Sequence, residues 1–236
     1  MKSFLYFLFL FSTAFAQAQR TVDVDKNDVD PTRGFFYSVQ GEPFSIAKYI
    51  RVVDGSPYFN DTWMLGSVMM SNGHRYDSLH FKLDLLANEL HFLDLQGREL
   101  VAAGKLSELW LTDSVSGAQS HFVYSSAIVA SSPPENGWYQ LLAIGNADLF
   151  VRLHKDITEF TPYNSATTEQ SIKTTAWYFV VVNKVFSRIK KFSELSDLLS
   201  NKSAEIKSFI NTNHLSGRSA NDYTRVVTYY NSLSPQ

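Results

Sequence analysis

The sequence predicts a mainly β protein: an antiparallel β-meander forming a sandwich or partly closed barrel, with short C-terminal helices packed on it. Three observations predict it. Between residues 55 and 100, apolar runs and turn signals alternate at strand-like spacing. Within that stretch Leu79, Phe81, Leu83 and Leu85 share one parity while Ser78, His80, Lys82 and Asp84 share the other, the period-2 pattern of a strand buried on one face. After Lys191 the apolar spacing changes to that of helices.

Taken in order, the chain opens with Lys2, an apolar run over residues 4–15 broken only by Ser12 and Thr13, and small residues in the pattern Ala14-x-Ala16 or Ala16-x-Ala18. This reads as a secretory signal peptide over residues 1–18, cleaved after Ala16 or Ala18. Its apolar stretch is shorter than the ~20 residues of a membrane-spanning helix. No later segment reaches that length without charge, so the mature chain is expected to be soluble, with no transmembrane segment, and periplasmic or outer-membrane-associated.

Residues 19–33 read as a flexible acidic linker carrying Asp23, Asp25, Asp28 and Asp30. Closely spaced carboxylates suit calcium, but an EF-hand loop needs Gly at its sixth place and Glu at its twelfth. Counted from Asp23, those places hold Asp28 and Gly34.

The antiparallel β domain is expected over residues 34–192. It begins with strands at 35–40 and 44–53, joined at Gly41-Glu42-Pro43, and a turn at Asp54-Gly55-Ser56-Pro57. The meander follows. Residues 63–70 run into Asn72-Gly73, which supplies the positive φ angles of a tight hairpin turn. Residues 79–85 return as a strand, the chain reverses at 86–89, and 90–95 leads to a further turn at Gln96-Gly97. Gly66, inside the first of these strands, marks a bulge or a close backbone approach.

Further strands are expected at 106–112, 121–130, 138–144 and 148–154, with a Pro-rich loop over 131–137 and a hairpin signal at Gly145-Asn146. Residues 158–175, rich in Thr, Ser and Asn, read as a long exposed excursion. Strands at 175–182 and 185–190 flank an Asn183-Lys184 turn. The helical segment, 193–236, carries apolar stripes at Leu195, Leu198 and Leu199, at Ile206, Phe209 and Ile210, and at Val226, Val227, Tyr229 and Tyr230. The last lies behind a Ser219-x-x-Asp222 capping signature.

The run Arg51-Val52-Val53-Asp54-Gly55-Ser56-Pro57-Tyr58, followed by Trp63, Gly66-Ser67-Val68, Gly73, Tyr76, Leu83-Asp84, Leu90 and Gly97, resembles a family of exported Bacteroidota proteins of unknown function. The family's tail is similar to Tyr178-Phe179, Ile189-Lys190-Lys191, Phe209-Ile210 and Tyr229-Tyr230-Asn231-Ser232-Leu233 here, so the resemblance covers residues 50–233. It implies export and carries no catalytic motif.

Composition narrows the chemistry. The chain has no cysteine, hence no disulfide, no lipid-anchor cysteine, no thiol nucleophile and no thiolate metal site. The apolar core must carry the fold, which is feasible because chains of this size bury roughly 70–75% of the surface their unfolded form exposes. With 21 basic and 23 acidic residues the net charge is −2, so no overall field draws nucleic acid or anionic lipid. The 14% aromatic content suits strand pairing.

Candidate sites weigh lightly against this scaffold. Of the histidines His74, His80, His91, His121, His154 and His214, His80 and His91 fall on neighbouring expected strands near Asp84, a conceivable metal or proton-transfer site. Residues four apart on a strand are separated by roughly 13 Å, so His80 and Asp84 cannot share one ion, and a polar sheet face accounts for them. Ser45-x-x-Lys48 and Ser187-x-x-Lys190 match the core of the penicillin-binding pattern, but on expected strands and without its Ser-Asp-Asn and Lys-Thr-Gly elements. The chain lacks Gly-x-Ser-x-Gly, His-Glu-x-x-His and phosphate-binding glycine loops, and its scattered carboxylates single out no glycosidase pair. Asp77-Ser78-Leu79 and Asp113-Ser114-Val115 resemble the O-glycosylation acceptor of exported Bacteroidota proteins.

The sequence therefore points to no catalytic, cofactor or metal residue. It favours a non-catalytic envelope-associated binding or structural protein, with an unknown envelope protein or a glycan or lipid ligand as partner and no nucleic acid. The alternatives are a lipid or lipoprotein carrier, in which Trp63, Phe81, Leu83, Phe92 and Trp110 enclose an apolar cavity, and a hydrolase with its cleft beside residues 158–175.

Overall fold

The computed structural model describes residues 35, 36, 39, 42, 43, 51–132, 134–164 and 166–233. The expected signal peptide, the acidic linker, the Ser45/Lys48 pair and most of the strand expected at 44–53 lie outside the described residues.

The protein is mainly β. The strands are β1 (Glu42–Pro43), β2 (Val52–Asp54), β3 (Met64–Met70), β4 (Arg75–Asp84), β5 (Glu89–Leu93), β6 (Glu99–Val101), β7 (Leu106–Thr112), β8 (Gln119–Tyr124), β9 (Trp138–Ala143), β10 (Ala147–Phe160), β11 (Glu169–Val182) and β12 (Val185–Ile189). They form one sheet in the order β1-β6-β5-β4-β3-β7-β8-β9-β10-β11-β12, and β2 pairs in parallel with β11. The sheet is open, with every other pairing antiparallel.

The meander β3–β8 forms where the alternation requires it. Phe81 faces Phe92 and Leu83 faces Leu90 across β4 and β5, all four buried. The alternation is broken on both sides of β3: its register on β7 slips between Met69 and Met70, and its register on β4 slips between Gly66 and Val68, where Ser78 takes a φ of 62°. This bulge lets Tyr76 and Leu79, of opposite parity, both face the core. The bulge expected near Gly66 is thus present, with its extra residue on β4. Gly66 itself serves the close approach, since a Cβ there would lie 2.2 Å from the Trp110 carbonyl oxygen.

Three expectations are corrected. Phe35, Phe36 and Val39 have helical rather than extended backbone. Phe35 is fully buried with its ring edge-on to Phe81 at 5.7 Å and to Phe92 at 4.8 Å, so tertiary packing overrides its strand preference. The strand expected at 121–130 ends at Tyr124, where a 3₁₀ turn, Ser125–Ala127, takes over. Residues 158–175 are largely strand: β10 and β11 pair continuously from Ala147↔Val182 to Phe160↔Glu169. Their outer halves read as loop because β10 is exposed over 156–160 and the residues that β11 buries there, Gln170 and Ile172, are only half apolar, so no apolar alternation shows.

Helices α1 (Leu195–Leu198), α2 (Ser203–Thr212) and α3 (Ala220–Leu233) follow. They pack on the β9–β12 end of the sheet, where Leu195, Leu199, Ile206, Val226, Val227 and Tyr230 cover Ala147, Leu149 and Val180. On the opposite face of the same strands, Tyr139, Phe150, Phe179 and Val181 pack under Val123 and Ile128.

Candidate functional site

Two places concentrate groups that packing alone does not use, and they lie on opposite faces of β5. The first is built on the β4–β5 hairpin. Asp84 Oδ1 accepts from the amides of Leu86 (2.9 Å) and Ala87 (2.8 Å), closing the tight turn. Lys82 stands opposite His91 and Asp84 opposite Glu89, so these four side chains share the face away from Phe81 and Leu83. Pro57 and Phe59 extend the sheet beside β4, with Phe59 N–H donating to Leu83 O at 2.8 Å and Leu85 N–H to Pro57 O at 3.0 Å. They set Tyr58 next to Asp84.

This face was expected to be wet, but Asp84 and His91 are both 0% exposed. His91 Nδ1 lies 2.6 Å from Glu99 Oε1, and Nε2 lies 3.7 Å from Glu89 Oε2. The Tyr58 ring meets the imidazole edge-on at 5.7 Å. The Lys82 ammonium sits over Tyr58 at 4.8 Å and over Trp63 at 5.0 Å. Burial, with the charges of Glu99, Asp84, Asp61 and Glu89, pushes the Tyr58 phenol up to about 12. Lys155, on β10, is held below the usual lysine range by burial, with Asp61 and Asp84 opposing that effect.

The second place is a cavity of about 370 Å³ on the core side of β5. Its apolar wall is made by Leu90, Leu106, Tyr124 and Trp138, and Lys105 and Ser126 also line it. Trp138 is 2% exposed, and its indole N–H has no hydrogen-bond acceptor among the described residues. The Ser125 hydroxyl, at the end of β8, is likewise buried without a partner among them.

The residues singled out from sequence disperse. His80 is exposed on β4, two residues along from Lys82, the register partner of His91. His121 pairs with Glu108 at 2.6 Å and stacks on Trp110. His154 pairs with Asp156 and stacks on Trp177. Ser187 lies on β12 with Lys190 just beyond its end, and Ser78 and Ser114 are both exposed. The cavity expected inside Trp63, Phe81, Leu83, Phe92 and Trp110 is not formed by that set. Phe81, Leu83 and Phe92 enclose Phe35 in a filled core, whereas Trp63 and Trp110 carry Lys82 and Arg75 against their rings.

Glu89, Glu99 and Tyr58 were missed as neighbours of His91. The available signal was the pairing itself: once the hairpin turn is placed at 85–88, Asp84 must oppose Glu89. Trp138 was missed because a lone indole in an apolar strand reads as core. Comparison with family models, with curated proteins and with solved structures finds no match for this chain.

Proposed function

We propose that this is an exported, envelope-associated binding protein, without catalysis of its own, whose ligand is a small amphiphile with an apolar body and a hydrogen-bond-accepting head. The Trp138 indole carries this reading. Leaving a buried donor unpaired costs on the order of 1–3 kcal/mol; here the Trp138 ring lines an apolar cavity while its nitrogen lies just beneath the wall, so a ligand acceptor seated against the ring would recover that cost once the ring turns its N–H toward it. About 370 Å³ falls within the range of small-molecule sites. The Lys105 ammonium and the Ser126 hydroxyl favour an anionic head such as a carboxylate. A carrier role would use the same cavity, and the apolar walls of Leu90 and Leu106 support an acyl chain as the body.

The test is native purification of the exported chain, extraction and mass spectrometry, followed by titration with dodecanoate. Wild type is expected to retain or take up about one amphiphile per chain. Leu106→Phe, which fills the cavity, is expected to stay folded by circular dichroism and bind none, and Trp138→Phe to bind at least ~10-fold more weakly through loss of the N–H. The proposal fails if wild type binds no amphiphile stoichiometrically, or if Leu106→Phe binds as well as wild type.

A further inference from the structure

We propose that Asp84, Glu89 and His91 form a binding site for one divalent metal ion of the zinc type, with Glu99 as the carboxylate that orients His91. The site is independent of the cavity, since His91 and Leu90 point to opposite faces of β5.

The donor set comes first. One ligand atom from each of Asp84, Glu89 and His91 lies within 4.8 Å of the others. Metal–ligand bonds of about 2.0–2.2 Å in a tetrahedral site separate donor atoms by roughly 3.3–3.6 Å. Side-chain shifts of an ångström or so, within the rotamer freedom of the half-buried Glu89, would close the set. One imidazole nitrogen with two carboxylate oxygens is a combination that zinc accepts, leaving a fourth position for water or substrate.

The second observation is the contact of Glu99 with His91. A carboxylate oxygen 2.6 Å from Nδ1 places the proton on that nitrogen and turns the lone pair of Nε2 toward the side on which Glu89 stands. This arrangement, a carboxylate behind a ligating histidine, fixes the tautomer and raises ligand basicity. The edge contact with Tyr58 holds the ring plane, and the turn amides hold the Asp84 carboxylate through Oδ1.

Charge is the third. The carboxylates of Asp84, Glu89 and Glu99 crowd around the His91 imidazole, so the hairpin face carries a concentrated negative field. Lys82 is engaged over the Tyr58 and Trp63 rings, and Lys155 donates to Thr174 Oγ1. A dication would neutralise what these lysines leave. Glu89 and Glu99 keep 35% and 28% of their side chains exposed, so an ion can reach the buried pair from solvent.

The experiment takes the full mature chain, stripped with a chelator, and measures Zn²⁺ binding by calorimetry and by competition with a chromophoric chelator. Co²⁺ absorption then serves as a probe of ligand geometry. One Zn²⁺ per chain is expected, with a rise in the thermal midpoint on saturation. Because His91→Ala empties a buried position and could unfold the chain, the decisive variants are Glu89→Gln and Glu99→Gln, both partly exposed. Glu89→Gln removes a ligand and should change the Co²⁺ spectrum and weaken Zn²⁺ at least ~10-fold. Glu99→Gln should keep the Co²⁺ band pattern while affinity falls by roughly 10- to 100-fold, as expected for a positioning residue. Two results overturn the proposal. One is no stoichiometric Zn²⁺ uptake by wild type, in which case Glu89, His91 and Glu99 form only an ion-paired clamp. The other is wild-type affinity in both variants, which would place the ion elsewhere. Neither bears on dodecanoate binding, so this proposal and the amphiphile reading stand or fall separately.

Discussion

At the scale of single residues, two short-range rules account for much of the polar sequence. The first is close approach. Gly66 brings β3 against β7 at a place where any Cβ would overlap the Trp110 carbonyl oxygen. Gly66→Ala is therefore expected to cost about 2–3 kcal/mol, because the obstruction is backbone and cannot rotate aside; urea unfolding of the purified variant measures it. The second rule is turn capping by acidic side chains. Asp84 ends a strand, Asp94 and Asp113 each directly follow one, and all three accept backbone amides of the turn. Amides and the hydroxyl of Ser116 hold Asp113 below the usual carboxylate range. These carboxylates gave no glycosidase pair in the sequence because most of them serve their own loops. The tryptophans on the outer face are occupied in a similar way: Trp110 lies between Arg75 and His121, and Trp177 between His154 and Arg188.

At the scale of elements, the α3 start shows how a local signature is realised. The Ser219-x-x-Asp222 pattern was legible, and Ser219 Oγ and Asp222 do meet at 3.2 Å. The structure adds that Asp222 Oδ2 reaches back to the amides of Gly217 (2.8 Å), Ser216 and Arg218 (both 3.2 Å), folding the preceding loop onto the helix. Burial acts against the Asp222 charge, but these amides and the Ser219 hydroxyl outweigh it and hold the carboxyl below its ordinary value. A carboxyl whose folded pKa is depressed contributes stability above its unfolded pKa, about 4, and loses that contribution as pH falls through the folded value. Asp222→Asn should therefore lower stability at neutral pH and flatten the pH dependence below about pH 4. Thermal unfolding of both proteins between pH 2 and 7 checks this, and parallel curves would show that the carboxylate does not carry the loop.

At the scale of the molecule, one open sheet is stabilised by three separate clusters rather than by a single core. The meander packs on Phe35 and Val39, the β9–β12 end packs under the helices, and the far face of those strands packs under Val123 and Ile128. The outer halves of β10 and β11 belong to none of these: residues 156–160 are exposed, and among the described strands only β2 joins them, at Gln170 and Ser171. Hydrogen exchange is expected to be markedly faster at 156–160 than at Leu149–Val151, although both lie in one continuous strand. Isolated two-stranded ribbons are marginal in water, and local opening follows low burial. Equal protection along β10 would mean that the ribbon is covered by something else.

The meander, its turns at Gly73 and Gly97, the Asn183-Lys184 reversal and the three C-terminal helices were legible in the chain. Each is specified by neighbours within a few residues: a parity, a positive-φ turn residue or a helical stripe. What lies across the sheet was not. The helical backbone at Phe35, the pairing of 158–160 with 169–171, the gathering of Glu89, His91 and Glu99 beneath Tyr58, and the unpaired indole of Trp138 all depend on contacts between distant segments. Local periodicity says which side of a strand is turned inward, but it does not say what will arrive to cover the other side; at the β4–β5 hairpin that cover turns a polar face into a buried cluster of ionisable groups.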